Sequence, residues 1–380
     1  MDKKKKVCFV ACDYNFFKVF IANLAEKISE KYSVTVITDT DSITNKDLIF
    51  LKEKKINIEH LDNRSKFSKL KIIRYIYKLK KIVNEVSPDY IFYTTIEISF
   101  FGSLITRFRA NRRSYFIITG IGLDFFSKKL RHKILNFIYL LTFKTNKYKE
   151  NTLYIFQNIE DRSLFVKAGY VIENNSEVIA HFGTRLASID DAKKFGADFV
   201  NFFFAGRLVK SKGVGELIQA TENLGKKYSN FRTIIAGSES PESGDPITSA
   251  QRKSLEESDF INYIGIIDFE DMYSLYQKYD VFVLPSHREG FSTVALEAAA
   301  NGMPLIITNA PGCIECFNSN GFLIQPKDSS SLEKAMESFI IDPKLIDAFS
   351  KKSYEHVKNN YSIAKMAQAY LSLMKKNTNS

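Results

Sequence analysis

Tryptophan is absent from this chain, and glycine (17) and proline (8) are scarce for 380 residues. So few turn formers argue against long unstructured stretches. The missing tryptophan by itself excludes no function. Cysteine is limited to Cys8, Cys12, Cys313 and Cys316, two pairs far apart. A disulfide framework is not expected, and a reduced cytosolic protein accounts for the four thiols. Cys313-Ile-Glu-Cys316 has C-x-x-C spacing. A zinc site would want four ligands, and His60, His132, His181, His287 and His356 show no ligand spacing. No metal is expected. Long apolar runs are missing too. Lys3–Lys6 lead only into the short run Val7–Cys12, and Ile134–Phe143 is about half the length a bilayer requires. Neither a signal peptide nor a spanning helix is expected, which leaves a cytoplasmic protein, soluble or peripheral at the inner face of the membrane.

What is present in quantity is positive charge, unevenly placed. The net charge is +11. Residues 1–150 hold 30 Lys and Arg against 15 Asp and Glu, a net +15, and the remainder carries −4. This asymmetry points to an anionic surface meeting one half of the molecule, or to solvated lysines with no partner. At 380 residues the chain suits two domains better than one.

The hydrophobic pattern alternates between buried-strand runs and helical stripes. Val7–Cys12, Val34–Thr38, Ile56–Leu61, Asp89–Tyr93 and Ser114–Thr119 read as strands, with a helix over Phe16–Glu30. A second series opens after a boundary near 185–198. It has strands at Asn201–Ala205, Arg232–Ala236, Ile261–Ile264, Val281–Leu284 and Pro304–Thr308, and helices at Asp268–Tyr279 and Thr293–Asn301. Such alternation implies two doubly wound parallel sheets, an α/β protein of two Rossmann-like domains. Over Lys66–Val86, the residues Ile72, Tyr75, Ile76, Leu79, Val83 and Val86 form one helical stripe, while Lys66, Lys69, Arg74, Lys78, Lys80 and Lys81 lie off it. The stripe is expected in the core, and the basic face either in solvent or on lipid.

Two segments carry the chemistry. In Leu284-Pro-Ser-His-Arg-Glu-Gly-Phe-Ser-Thr-Val-Ala-Leu-Glu297 a strand runs through a loop into a helix. Gly290 permits close approach of a ligand, and free amides of Phe291, Ser292 and Thr293 at the helix start would suit an anion. Glu289 and Glu297 would repel a bare phosphate, but they fit hydroxyl groups on either side of a diphosphate. In Phe204-Ala-Gly-Arg-Leu-Val-Lys-Ser-Lys-Gly213 a strand meets a glycine turn with Arg207 and Lys212 beyond it. Two cations at the carboxyl end of a strand could neutralise a leaving diphosphate. Asp39-Thr40-Asp41 is a D-x-D, which elsewhere holds a divalent ion. Here it closes a strand of the first sheet and reads as a polar loop.

Together, Ala205-Gly206-Arg207-Leu208 with Lys212-Gly213, Glu289-x7-Glu297, Pro285-Ser286-x-x-Glu289-Gly290-Phe291 and Leu296-Glu297-Ala298 with Gly302-x-Pro304 resemble the retaining glycosyltransferases of family 4, which have the GT-B fold. Ala310-Pro311-Gly312-Cys313-x-Glu315 and Phe156-Gln157-Asn158-x-x-Asp161 narrow the resemblance to the branch that builds bacterial capsule, O-antigen and lipid-linked oligosaccharides. The likeness is specific over 200–330 and looser over 1–190. It implies an acceptor domain over 1–190, completed by a helix at 361–376 that crosses back, a donor domain over 198–360, and a cleft between them. The substrates implied are a nucleotide diphosphate sugar, with uridine as the expected base, and a polyprenyl-linked saccharide acceptor. Anionic membrane would be met through the basic domain, with no nucleic acid, cofactor or metal involved. Arg207 and Lys212 would hold the donor diphosphate, Glu289 the transferred sugar and Glu297 the ribose. Gly206, Gly290, Phe291, Ser292 and Thr293 would surround the phosphates and sugar, and Ile264 and Gly265 would meet the base. Asn15, Thr119, Gly120 and Gly122 would line the acceptor side. The family often has His where Thr119 stands, and Gly-Val-Asp where Gly183-Thr184-Arg185 stands. A nucleotide-sugar epimerase of the same fold and a catalytically silent sugar-nucleotide-binding subunit are the alternative readings.

Overall fold

The computed structural model describes residues 4–62, 71–106, 112–121, 141–146, 150–188, 199–240 and 244–376. The chain divides into two compact units, Met1–Gly183 with Ile363–Ser380, and Thr184–Ser362. Each is a parallel sheet with interleaved helices, so each is Rossmann-like.

In the first unit the strands are β1 (Lys6–Val10), β2 (Ser33–Thr38), β3 (Ile56–His60), β4 (Tyr90–Tyr93), β5 (Arg113–Ile118), β6 (Thr152–Phe156) and β7 (Ser176–Val178). They lie in the order β3-β2-β1-β4-β5-β6-β7, all parallel. The inner strands β1, β4, β5 and β6 are buried almost end to end because both faces are covered, whereas the edge strands β3 and β7 carry polar and exposed residues. On one face, Tyr75, Leu79 and Val83 pack with Phe101, Phe116, Phe156 and Phe165. The final helix, Ile363–Lys376, belongs to this unit. Its Tyr370 is fully buried and stacks on Phe182, and the Tyr115 hydroxyl donates to the Leu373 carbonyl at 3.3 Å.

In the second unit β8 (Val200–Ala205), β9 (Phe231–Ala236), β10 (Ile261–Gly265), β11 (Val281–Leu284), β12 (Leu305–Thr308) and β13 (Gly321–Ile324) form a sheet in the order β10-β9-β8-β11-β12-β13, also parallel. The strand order reverses between β8 and β11 here, and between β1 and β4 in the first unit. A crevice for ligands opens at such a reversal, beyond the carboxyl ends of the strands.

Two expectations change in detail. The helix expected over Phe16–Glu30 is a turn at Tyr14–Phe16, a π-helical stretch at Phe17–Ile21 and an α-helix at Ala22–Ser29. The basic helix runs Lys71–Val86; Lys66 and Lys69 lie outside the described residues. Its Ile72, Ile76 and Val86 are only partly buried, while Ile73 and Tyr77, off the expected stripe, face outward. Among the described residues no helix is long and apolar enough to cross a membrane.

Candidate functional site

The second unit builds its crevice from backbone first. The Gly206 amide donates to the Ala236 carbonyl at 3.0 Å, and the Gly237 amide to the Gly265 carbonyl at 2.7 Å. A methyl group at Gly237 would lie 1.8 Å from the Gly206 oxygen. The ends of β8, β9 and β10 can therefore lie side by side only because no side chain intervenes there. Gly265, at φ +74°, has open space where a Cβ would be. The result is a glycine-floored edge. Gly206 and Gly265 were expected there from the sequence; Gly237 was not, because its role lies in the strand beside it.

After β8, Lys210–Lys212 forms a 3-10 turn and Gly213 takes a left-handed φ of 72° before the helix Val214–Gly225. A Cβ at Gly213 would sit 2.2 Å from the Pro285 oxygen, so this turn lies directly on the loop that follows β11. The two loops are joined further by the His287 amide, which donates to the Ser211 carbonyl at 2.9 Å, and by His287 Nε2, 2.8 Å from Glu216 Oε1. This stitching brings the Lys212 ammonium onto the Glu289 carboxylate as a mostly buried ion pair. Arg207, on the same loop as Lys212, is exposed.

The loop after β12 closes the far side. The Glu289 amide donates to the Pro311 carbonyl at 3.0 Å, and the Ser292 amide to the Gly312 carbonyl at 2.7 Å. The Thr293 amide donates to the Phe291 carbonyl at 3.1 Å. The expectation that the Ser292 and Thr293 amides are free to bind phosphate is therefore corrected. Ser292 instead caps the helix Thr293–Ala300, its side chain accepting from the Ala295 amide at 3.4 Å. Phe291 is buried and its ring lies 5.6 Å from that of Tyr361. Gly290 lies between Glu289 and Phe291 on the loop and is partly exposed.

Glu297 projects from that helix. Its Oε2 accepts from the Tyr276 hydroxyl at 2.9 Å. Tyr276 is buried, with its ring 6.0 Å from Phe203 and 6.2 Å from Phe282. Burial pushes the Glu297 carboxyl up to about 7, and the Tyr276 hydrogen bond partly offsets the rise. Near neutral pH this acid is thus part protonated. Tyr276 is a site residue the sequence did not reveal, because a tyrosine in the helix Met272–Lys278 reads as core. Cys313 and Cys316 are buried free thiols, and burial raises both. Cys316 Sγ donates to the Ser292 carbonyl at 3.5 Å.

In the first unit, Asn15 is exposed in the Tyr14–Phe16 turn that follows β1, where Asp13 accepts from the Phe16 amide at 2.7 Å. Thr119 and Gly120 follow β5, and Gly120 has a φ of 131°. The loop is anchored one residue later: the Ile121 amide donates to the buried Asp161 carboxylate at 3.1 Å, whose own amide is capped by Asn158 at 2.7 Å. That gives Asn158-x-x-Asp161 a structural role. Gly122 lies outside the described residues. Asp39 is buried and its carboxylate accepts from the Tyr14 and Asp41 amides, both at 3.3 Å, which is the work of a loop-forming residue. Among the described residues, no three His, Cys, Asp or Glu side chains gather into a metal-binding group. Gly183, at φ +104°, packs against Ile363, where a Cβ would come within 2.8 Å of the Ile363 Cα.

Comparison with known proteins places these features in a family. Residues 188–356 match the sequence profile of the glycosyl transferases group 1, and residues 6–158 that of the glycosyl transferase 4-like group. The chain is 32% identical over 167 residues to the capsular polysaccharide biosynthesis glycosyltransferase CapM of Staphylococcus aureus, but spans only 41% of that relative. It is 24% identical over 374 residues, 95% of its own length and 94% of the relative's, to the N,N'-diacetylbacillosaminyl-diphospho-undecaprenol alpha-1,3-N-acetylgalactosaminyltransferase of Campylobacter jejuni. Among solved structures, Alr3699/HepE of Anabaena with UDP and glucose matches 98% of this chain and all of its own, with a TM-score of 0.73 at 18% identity. Sucrose-phosphate synthase of Thermosynechococcus elongatus matches with a TM-score of 0.75 at 16% identity, over 98% of this chain and 99% of its own.

Proposed function

Since the chain belongs to the group 1 glycosyl transferases and has their two Rossmann-like units, the GT-B type, we propose that it transfers a hexosyl unit from a UDP-sugar, with retention, to a lipid-linked saccharide. The observation that carries this reading is the crevice of the second unit. There Arg207, Lys212, Glu289 and Glu297 border the reversal of strand order over a floor of glycine backbone. Cations answer a diphosphate, and carboxylates answer hydroxyls. Similarity to a protein solved with UDP and glucose supports the donor, and similarity to a diphospho-undecaprenol-dependent transferase supports the acceptor.

In this reading Arg207 and Lys212 take the charge that accumulates on the leaving diphosphate, a role a metal ion fills elsewhere. Glu297 accepts from the ribose hydroxyls and Glu289 from the sugar. The bond from the anomeric carbon to the phosphate oxygen breaks, and a new bond forms to the acceptor hydroxyl on the same face. The hydroxyl proton passes to an oxygen of the departing phosphate. The basic first unit faces the anionic membrane in which a polyprenyl-linked acceptor resides.

The test is incubation of the protein with radiolabelled UDP-, GDP- and dTDP-sugars and a bacterial lipid extract. Label entering the lipid fraction from one UDP-sugar, with the anomeric configuration kept in the NMR spectrum of the product, is the expected result. Conversion of the donor into a different sugar nucleotide without an acceptor would replace this reading by an epimerase.

A further inference from the structure

The helix Lys71–Val86 in the first unit has an outer face that its role in the core does not explain. Its inner face is satisfied: Tyr75, Leu79, Ile82 and Val83 are buried, and the Tyr75 ring lies 5.4 Å from that of Phe101. One turn apart on the opposite side, Ile73 is 73% exposed and Tyr77 is 70% exposed. Single exposed apolar residues are ordinary. Two large ones at i and i+4, however, are neighbours on the helix surface and form one ridge. The same side of the helix carries Arg74, Lys80 and Lys81, all exposed. Lys78, expected on the basic face, is engaged with Asp62 at 3.1 Å. Lys81 lies 3.8 Å from the exposed Glu85.

A ridge of two side chains is too small to hold a protein partner, since a stable interface buries on the order of 1,000 Å² or more. It does suit a bilayer. A helix lying in the headgroup layer buries a few apolar side chains among the acyl chains while its cations meet lipid phosphates, and tyrosine favours that boundary. The charge is complementary as well, with +15 on residues 1–150. We propose that this face lies on an anionic phospholipid surface, with Ile73 and Tyr77 inserted between headgroups and Arg74, Lys80 and Lys81 on the phosphates. This deepens the proposed function, on which it rests for the presence of a lipid-borne acceptor.

The absence of tryptophan makes a direct test available. In Tyr77→Trp the new side chain is the sole indole. Its emission is expected to shift to the blue on vesicles containing 30% phosphatidylglycerol and to be quenched by brominated acyl chains, with neither change on pure phosphatidylcholine. In flotation, Ile73→Ser/Tyr77→Ser should bind anionic vesicles about tenfold more weakly. Arg74→Gln/Lys80→Gln/Lys81→Gln should bind about a hundredfold more weakly. Lys46→Gln/Lys52→Gln, which removes exposed charge from the helix Asn45–Glu53, should bind as wild type. Unquenched emission on vesicles that float the protein, wild-type flotation of the serine variant, or an equal loss in the Lys46/Lys52 control would overturn the proposal. Each variant is also titrated with UDP. Failure of every form, wild type included, to bind UDP would count against the donor reading, whereas loss of flotation with UDP binding intact concerns the helix alone.

Discussion

The position of Glu297 makes stability and donor binding depend on pH in opposite ways. Its carboxyl is raised from 4.5 to about 7 by burial, with the Tyr276 hydroxyl at 2.9 Å pulling it partly back. A raised acid binds its proton more tightly in the folded state. The stability this supplies is fully present below about pH 4.5 and is lost as pH rises through about 7. A shift of this size corresponds to about 3 kcal/mol between the two limits. Glu297→Gln keeps an oxygen for Tyr276 but never ionises. At pH 8 this variant is therefore expected to be more stable than wild type by up to about 3 kcal/mol, and below about pH 4 the difference should vanish. Urea unfolding at a series of pH values measures the difference.

Binding runs the other way. Ribose hydroxyls donate to a carboxylate more strongly than to an amide or a protonated acid. Wild-type affinity for UDP should fall up to tenfold for each pH unit below about 7, relative to Glu297→Gln measured at the same pH. Taking the ratio removes the titration of the nucleotide itself. Calorimetry in buffers of different ionisation enthalpy should show a proton released on binding by wild type near pH 6.5 and none released by this group in the variant. Tyr276→Phe removes the hydrogen bond that opposes the shift, so both transitions should move to higher pH. Wild-type stability of Glu297→Gln at pH 8, or parallel affinity curves, would show that Glu297 does not titrate with a raised pKa at this site.

Three further outcomes are expected. Glu289→Gln should lower kcat by about 10²–10³ while leaving the Kd for UDP within a few-fold, because the carboxylate is assigned to the sugar rather than the nucleotide; an equal loss in both would move Glu289 to the nucleotide. Gly213→Ala should destabilise the second unit by about 2–4 kcal/mol, since the new methyl would meet the Pro285 oxygen at 2.2 Å from a left-handed backbone, whereas Gly244→Ala, in open space, should be neutral in thermal melts. Transfer activity should persist in excess EDTA, with Arg207 and Lys212 supplying the positive charge; loss restored by magnesium or manganese would direct attention to Asp39 and Asp41.

Ten strands were legible in the sequence because apolar runs bounded by polar or glycine residues permit few other readings. Thr152–Phe156, Ser176–Val178 and Gly321–Ile324 were not: the last two are short strands at sheet edges, and the first lies next to such an edge. On the site, the charged residues of the loops after β8 and β11 were readable because arginine, lysine and glutamate at strand ends have few structural uses. Gly237 and Tyr276 were not readable, because each acts on a partner distant in sequence. Gly237 accommodates Gly206, and Tyr276 reaches Glu297 across 21 residues. The amides of Ser292 and Thr293 misled for the same reason. A helix start looks open in one dimension, and here the Gly312 and Phe291 carbonyls fill it.

The sequence alone poses an electrostatic difficulty that the structure goes far to resolve. Two glutamates bordering a diphosphate site should oppose the ligand, each by about 2–3 kcal/mol at ~6–8 Å with an effective dielectric constant near 20. Neither does so at full strength. Glu289 is held against the Lys212 ammonium, and Glu297 is buried enough to share its time with a proton near neutral pH. The crevice thus meets an arriving anion with Arg207 exposed and its acids largely masked. Binding can then unmask them in turn. The proposed donor's phosphates compete for Lys212 and free Glu289 toward the sugar, while its ribose hydroxyls draw the proton from Glu297. A nucleoside monophosphate carries the ribose but not the second phosphate. It should therefore release the Glu297 proton yet leave the Lys212–Glu289 pair closed. If UMP binds without proton release, the two acids are not unmasked separately by ribose and second phosphate.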